Sequence, residues 1–196
     1  MRNVLFICTG NTCRSPLAEG IFRLEASKRG IRAEARSAGT SAIDGMPVSG
    51  HSADILRDKG ATLSSEGSSE LTPELMEWAD LILTMTMNHK RYVIQQYPEA
   101  IDKTYTLKEY ADKGDPELQL SLAEEERLAS ELHIKQALGE PLTDEEREKL
   151  QACMRRSRSL DISDPFGGPA HVYQKSAEEI EEAILRILDM DEINGA

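Results

Sequence analysis

The chain has 196 residues, three cysteines and a formal net charge of −12, with an isoelectric point near 4.8. Its length suits one domain with a full hydrophobic core, and its acidity, with no basic patch or basic helix, argues against nucleic acid or an anionic membrane as a partner. Cys8, Cys13 and Cys153 form no disulfide framework, and the apolar run after Met1-Arg2-Asn3 is too short for a secretion signal or a membrane span, so a cytoplasmic setting with free thiols is expected.

The run over 3–8 reads as a strand buried on both faces of a parallel sheet, passing into a glycine-containing loop. Ser15-Pro16 then supplies an N-cap and a first-position proline for a helix that continues through Leu17, Ala18, Ile21 and Phe22 until Gly30 stops it. The alternation recurs: strand over 31–37, helix over 48–59, short helix over 73–78, strand over 81–85, helix over 88–96 and strand over 103–107. Such a pattern predicts an α/β fold: a single three-layer domain with a central parallel sheet of about four strands and helices on both faces. Right-handed crossovers place the loops that follow strand ends, the Cys8 loop among them, on one edge of the sheet.

From about 115 to 160 the chain is charged and punctuated by leucine, with two capping-box patterns, Ser121-x-x-Glu124 and Thr143-x-x-Glu146. Gly139-Glu140-Pro141 separates them, predicting two antiparallel helices over 122–138 and 144–156. Leu128, Leu132 and Leu138 would stripe the first, and Leu150, Cys153 and Met154 the second. This stretch is expected to be a helical insertion in a single domain spanning 1–196. A last helix within 171–188 carries Ile180, Ala183, Ile184, Ile187 and Leu188 at core-facing spacing.

Five residues, Thr9, Gly10, Asn11, Thr12 and Cys13, separate Cys8 from Arg14. A loop of that length before a helix start can turn its backbone N–H groups toward a common centre, where a tetrahedral oxyanion fits. Arg14 adds a planar guanidinium that grips two phosphate oxygens at once, and Gly10 is expected to ease the turn. Cys8, ringed by these positive partial charges and by the Ser15 hydroxyl, is placed as a thiolate nucleophile that attacks phosphorus and forms a cysteinyl-phosphate, with no metal or cofactor. A Cys-x5-Arg pair alone arises by chance; the strand before, the glycine within and the Ser-Pro start after make it a site. His51, His89, His133 and His171 have no paired metal-ligand spacing.

Cys8 to Ser15, Arg36-Ser37-Ala38-Gly39-Thr40, Ala79-Asp80-Leu81 and Asp164-Pro165 together resemble the low-molecular-weight protein tyrosine phosphatases, over residues 1–112 and 161–189. The resemblance implies that Cys8 is the nucleophile, Arg14 binds phosphate, Ser15 assists the thiolate, Asn11 shapes the loop and Asp164 acts as general acid and then base. Phosphorylated proteins would be the partners. Asp115-Pro116 offers a second Asp-Pro pair, but only Asp164 is followed by Phe166-Gly167-Gly168 and the last helix, as in the family.

Tyrosine-specific members carry an aliphatic residue at the position of Thr12 and an aromatic pair after Asp-Pro. Thr12 and the single aromatic Phe166 look more like the bacterial protein-arginine-phosphatase branch, as do Leu107-Lys108-Glu109-Tyr110 and Ser68-Ser69-Glu70-Leu71-Thr72. Phosphoarginine presents a planar, cationic, hydrogen-bonding group that Thr12, Asp164 and Phe166 suit chemically. The reading therefore favours phosphoarginine, with phosphotyrosine as the alternative. Arsenate reductases share the fold, yet they relay a disulfide through mid-chain cysteines, and 14–152 contains none. A non-catalytic oxyanion-binding module is a further alternative. Cys13 is a candidate redox partner for Cys8, since a disulfide between them would shield the nucleophile from irreversible oxidation.

Overall fold

The computed structural model describes residues 2–65, 67–139, 141 and 143–190, without the side chains at 126, 133, 136, 150, 153, 154 and 156–158. Four strands, β1 (Arg2–Cys8), β2 (Ala33–Gly39), β3 (Leu81–Thr84) and β4 (Thr104–Thr106), form one sheet in the order β2-β1-β3-β4, every pairing parallel. β1 is interior, and its side chains alternate between two cores. Val4 and Phe6 pack with Leu17, Ile21 and Phe22 of α1 (Arg14–Lys28) and with Ile180, Ala183 and Ile184 of α8 (Ala170–Leu188). Leu5 and Ile7 face Met76 of α3 (Pro73–Trp78) and Val93 of α4 (Met87–Gln96). The period of two along a strand thus produces the three expected layers, each fully buried apolar side chain contributing roughly 1.5–3 kcal/mol.

Several boundaries differ from the pattern for physical reasons. β2 starts and ends two residues later than expected, because its register follows β1 and carries it on to a Cys8–Gly39 pairing. α2 (Gly50–Lys59) begins after the Ser49 cap, whose Oγ accepts from the Ser52 amide. Residues 98–103 form a 3-10 turn, and α5 (Leu107–Ala111) follows β4 directly through a Thr106–Glu109 capping box. Neither element has a long apolar period to betray it.

α6 (Pro116–Ala137) starts six residues before the expected 122, since Asp115 Oδ1 accepts from the Glu117 and Leu118 amides and caps it. Asp115-Pro116 is therefore a helix start, with proline at the first helical position, and Ser121 lies inside the helix. The Thr143–Glu146 box does form, opening α7 (Asp144–Ser159). Lys135 of α6 pairs with Glu146 of α7. Glu140 and the side chains of the Leu150, Cys153 and Met154 stripe lie outside what the structure describes. Among the described residues no helix is long and apolar enough to cross a membrane.

Candidate active site

β1 ends at Cys8 and α1 begins at Arg14, so the intervening loop lies at the C-terminal edge of the sheet. Its carbonyls are engaged from outside: Cys8 O accepts from Thr40 N at 3.0 Å, Thr9 O from Ser41 N at 2.9 Å, Thr12 O from Ser49 N at 2.8 Å, and Cys13 O from the Ser52 hydroxyl at 3.3 Å. Because a trans peptide points its C=O and its following N–H in opposite directions, the amides of Thr9, Gly10, Cys13 and Arg14 turn toward the concave side. That arrangement is an anion cradle at a helix N-terminus.

Asn11 gives the loop its sharp bend, with φ of +52° in the left-handed region that asparagine tolerates better than most residues. Its Oδ1 accepts from Ser69 N at 2.7 Å and its Nδ2 donates to Ser15 Oγ at 2.9 Å. Ser15 Oγ in turn lies 3.0 Å from Cys8 Sγ. Having accepted from Asn11, the Ser15 hydroxyl has one proton left to give, with Cys8 Sγ at 3.0 Å and Ala38 O at 3.4 Å as its acceptors. This corrects the expected N-cap role of Ser15: Cys13 occupies the cap position, without a side-chain cap, and Ser15 is fully buried in the first turn.

Gly10 is also corrected. A Cβ there would meet only Thr12 Oγ1, at an ordinary 3.6 Å, whereas a Cβ on Gly39 would come within 2.5 Å of Thr9 O and 2.9 Å of Asn11 N. The glycine that lets the loop form belongs to the neighbouring strand.

Arg14 is buried, donates through Nη1 to Ile162 O at 3.3 Å, and reaches Asp164 Oδ2 through Nη2 at 3.1 Å. The Asp164 side chain is 58% exposed and its Oδ1 accepts from Phe166 N at 3.2 Å, within a turn closed by Gly168 N to Pro165 O. Cys8, Thr9, Gly10, Thr12, Cys13, Arg14, Asp164 and Phe166 line one cavity of about 280 Å³. Phe166 is 80% exposed at its rim. The structure thus brings the residues singled out in the sequence to one place, with Asn11 and Ser15 behind the loop. Cys8 and Cys13 are both free and buried.

Three residues escaped the sequence reading. Thr9 Oγ1 and His89 Nε2 are 2.8 Å apart, and His89 Nδ1 is 2.8 Å from Thr86 Oγ1, the cap of α4. Burial, with the Arg14 guanidinium adding to it and Asp164 opposing, pushes His89 down to about 4. Asp161 Oδ1 accepts from Met87 N at 2.7 Å, and its carboxyl is raised mainly by burial. Tyr173 of α8 places its hydroxyl 3.6 Å from Cys13 Sγ. His89 follows β3 on the sheet edge that carries the Cys8 loop, and that position was the available signal. His89 and Asp161 line a groove of about 620 Å³ that shares Thr9, Arg14 and Asp164 with the smaller cavity.

Comparison with known proteins gives a consistent relationship. The family model described as low molecular weight phosphotyrosine protein phosphatase matches residues 3–122. The chain is 32% identical over 186 residues to the protein-arginine-phosphatase of Geobacillus stearothermophilus, covering 95% of this chain and 93% of that one. The solved YwlE arginine phosphatase from Geobacillus stearothermophilus superposes with a TM-score of 0.67 at 32% identity, over 95% of this chain and 90% of that one. The low molecular weight protein tyrosine phosphatase from T. tengcongensis does so with a TM-score of 0.68 at 33% identity, over 96% and 99% of the two chains.

Proposed function

The chain belongs to the low molecular weight phosphotyrosine protein phosphatase family and is a cysteine-based protein phosphatase, and we propose that it hydrolyses phosphoarginine in proteins through a cysteinyl-phosphate on Cys8. The observation that carries this reading is the composition of the cavity, where Thr12 and Phe166 stand beside Cys8, Arg14 and Asp164. Thr12 supplies a hydroxyl where an aliphatic residue would offer no polar partner to a guanidino group. Phe166 gives an exposed aromatic face for the planar cation or the arginine stem. Similarity to the protein-arginine-phosphatase over nearly the whole of both chains supports the same choice.

In this mechanism the loop amides and the Arg14 guanidinium hold three phosphoryl oxygens, presenting phosphorus to Cys8 Sγ. The P–S bond forms as the P–N bond breaks, and Asp164 delivers its proton to the departing nitrogen. Asp164, now ionised, takes a proton from water as that water attacks the cysteinyl-phosphate. Inorganic phosphate leaves and the thiolate is restored, stabilised by the Ser15 hydroxyl. Free buried thiols in the loop suit a reducing cytoplasm. We also read α6 and α7 as an insertion into the domain between β4 and the Asp164 turn.

The full-length likeness to a tyrosine phosphatase favours phosphotyrosine as the second reading. Matched peptides carrying phosphoarginine or phosphotyrosine, given to the unmodified protein, separate the two. A kcat/KM at least tenfold higher for the phosphoarginine peptide is expected; equal or reversed rates overturn the assignment.

A further inference from the structure

β1 lies between β2 and β3, so the loop that leaves its end at Cys8 can be held from both neighbours. From the β2 side the hold is made by backbone. Gly39 closes that strand, and the next two amides, Thr40 N and Ser41 N, donate to Cys8 O at 3.0 Å and to Thr9 O at 2.9 Å. On the β3 side the backbone contacts stop earlier. Met85 N donates to Ile7 O at 2.9 Å, but Met85 O, which in a parallel ladder would take the next rung from Thr9 N, accepts instead from Ile162 N at 2.8 Å.

His89 supplies the missing contact with its side chain. It sits in the first turn of α4, the helix that follows β3, and its Nε2 is 2.8 Å from Thr9 Oγ1. Its Nδ1 is 2.8 Å from Thr86 Oγ1, which also accepts from the His89 amide at 3.2 Å. The ring is thus fixed to the start of α4 at one nitrogen and to the loop at the other. His89 is 8% exposed, and burial, with the Arg14 guanidinium adding to it, keeps the ring uncharged at neutral pH. An uncharged imidazole has one donor and one acceptor nitrogen. Both are engaged by hydroxyls, so neither is free to take a proton from water or from Cys8.

Thr9 directly follows the nucleophile, and its N–H is one of the cradle amides. With its carbonyl on Ser41 N and its β-branched side chain on His89, Thr9 is held from both sides. That limits the rotation that would swing the cradle amides away from the phosphoryl oxygens. Such donors act most strongly when already aimed at the charge that develops in the transition state.

We propose that His89 is a positioning residue for the reaction: by holding Thr9 from the β3 side, it keeps the start of the Cys8–Arg14 loop in the shape that fits the transition state of phosphoryl transfer. The inference rests on the phosphatase reading above. His89 touches no reacting atom in this role, and Cys8, Arg14 and Asp164 keep theirs.

The experiment compares the unmodified chain with His89→Leu, Thr9→Val and the double variant. Each single change removes one end of the same hydrogen bond and leaves a side chain of similar size. Four quantities are read: kcat/KM on a nitrophenyl phosphate, kcat/KM on a phosphoarginine peptide, inhibition by vanadate and affinity for inorganic phosphate. Vanadate adopts the trigonal bipyramidal geometry of the transition state, whereas phosphate reports the ground state. Each single variant is expected to lose about tenfold or more in kcat/KM, equally on both substrates, because the loop serves the phosphoryl group whatever the leaving group. Vanadate should weaken by the same factor and phosphate by less than about threefold. The double variant should fall within about twofold of the poorer single variant, since both changes remove one bond. Should His89→Leu not fold, Thr9→Val alone carries the comparison of vanadate with phosphate.

Unchanged kcat/KM in the folded variants overturns the proposal. So does an equal weakening of vanadate and phosphate, which marks the bond as general support for the loop. Losses that multiply in the double variant overturn it too, because the two residues then act independently. An unmodified chain that hydrolyses neither substrate strikes the phosphatase reading instead, so the two failures are distinguishable.

Discussion

The carboxylate of Asp164 and the guanidinium of Arg14 meet at 3.1 Å, joining the first helix to a turn near the far end of the chain. In the proposed mechanism a phosphoryl group gripped by Arg14 competes with Asp164 for that guanidinium, which frees the carboxyl for the leaving atom. Asp164→Asn is therefore expected to lower kcat/KM for poor leaving groups by roughly 10²–10⁴ while phosphate affinity changes little. Cys8→Ser should abolish turnover and still bind phosphate. Steady-state kinetics and calorimetric titration check both, and full activity in either variant removes that residue from its role.

Thr12→Ile exchanges the cavity hydroxyl for an aliphatic branch. The ratio of kcat/KM on phosphoarginine to that on phosphotyrosine should fall by roughly 10-fold or more, the scale of one hydroxyl or methylene in a pocket. Competition between the two peptides in one reaction measures it directly, and an unchanged ratio means that Thr12 does not select the substrate.

Gly39 and Gly10 predict opposite responses to alanine. Gly39→Ala drives a Cβ onto backbone atoms of Thr9 and Asn11 and should cost about 1–3 kcal/mol in stability, with loss of phosphate binding. Gly10→Ala meets nothing closer than ordinary contact and should shift stability by less than about 1 kcal/mol. Urea unfolding of the two variants tests the contrast.

His89 couples the site to pH. The folded chain holds it at about 4, against an ordinary value of 6.5, so between those values the unfolded chain binds the proton first. This contribution to stability is complete above pH 6.5 and is lost as pH falls toward 4, by about 2 kcal/mol at pH 5 and about 3 kcal/mol at pH 4. Unfolding free energies of the parent and of His89→Gln, measured from pH 8 to 4.5, should diverge in slope by that amount. Identical slopes would show that another group governs the acid side.

Cys13 is a further site of prediction, because both loop thiols are free and line one cavity. Peroxide should inactivate the parent reversibly through a Cys8–Cys13 disulfide, with activity returning on thiol treatment. Cys13→Ala should lose activity irreversibly as Cys8 passes to the sulfinic state. Full thiol recovery of that variant would remove the protective role.

The parallel sheet was legible because β1 and β3 are apolar at almost every position and each gives way to a helix with an apolar stripe. The Cys8–Arg14 loop was legible because its chemistry is local, seven consecutive residues from the last of a strand to the first of a helix. What escaped depends on contacts made across the fold. Ser15 has the composition of a cap, but Asn11 and Cys8 claim its hydroxyl. Gly10 has the look of a bend, while the bend falls on Asn11 and the space is supplied by Gly39. His89 and Tyr173 stand 80 and 160 residues from the loop partners they touch, and no periodicity encodes such a distance. Asp115 reads as part of a turn until its carboxylate is seen receiving the first amides of α6.

α8 covers α1 through Ile180, Ala183 and Ile184 and also carries the Glu179 and Ser176 anchors of the Asp164 turn. One helix thus serves the core on one side and the mouth of the cavity on the other, so a substitution that loosens Ile180 or Ile184 is felt at Asp164 as well as in the stability of the sheet.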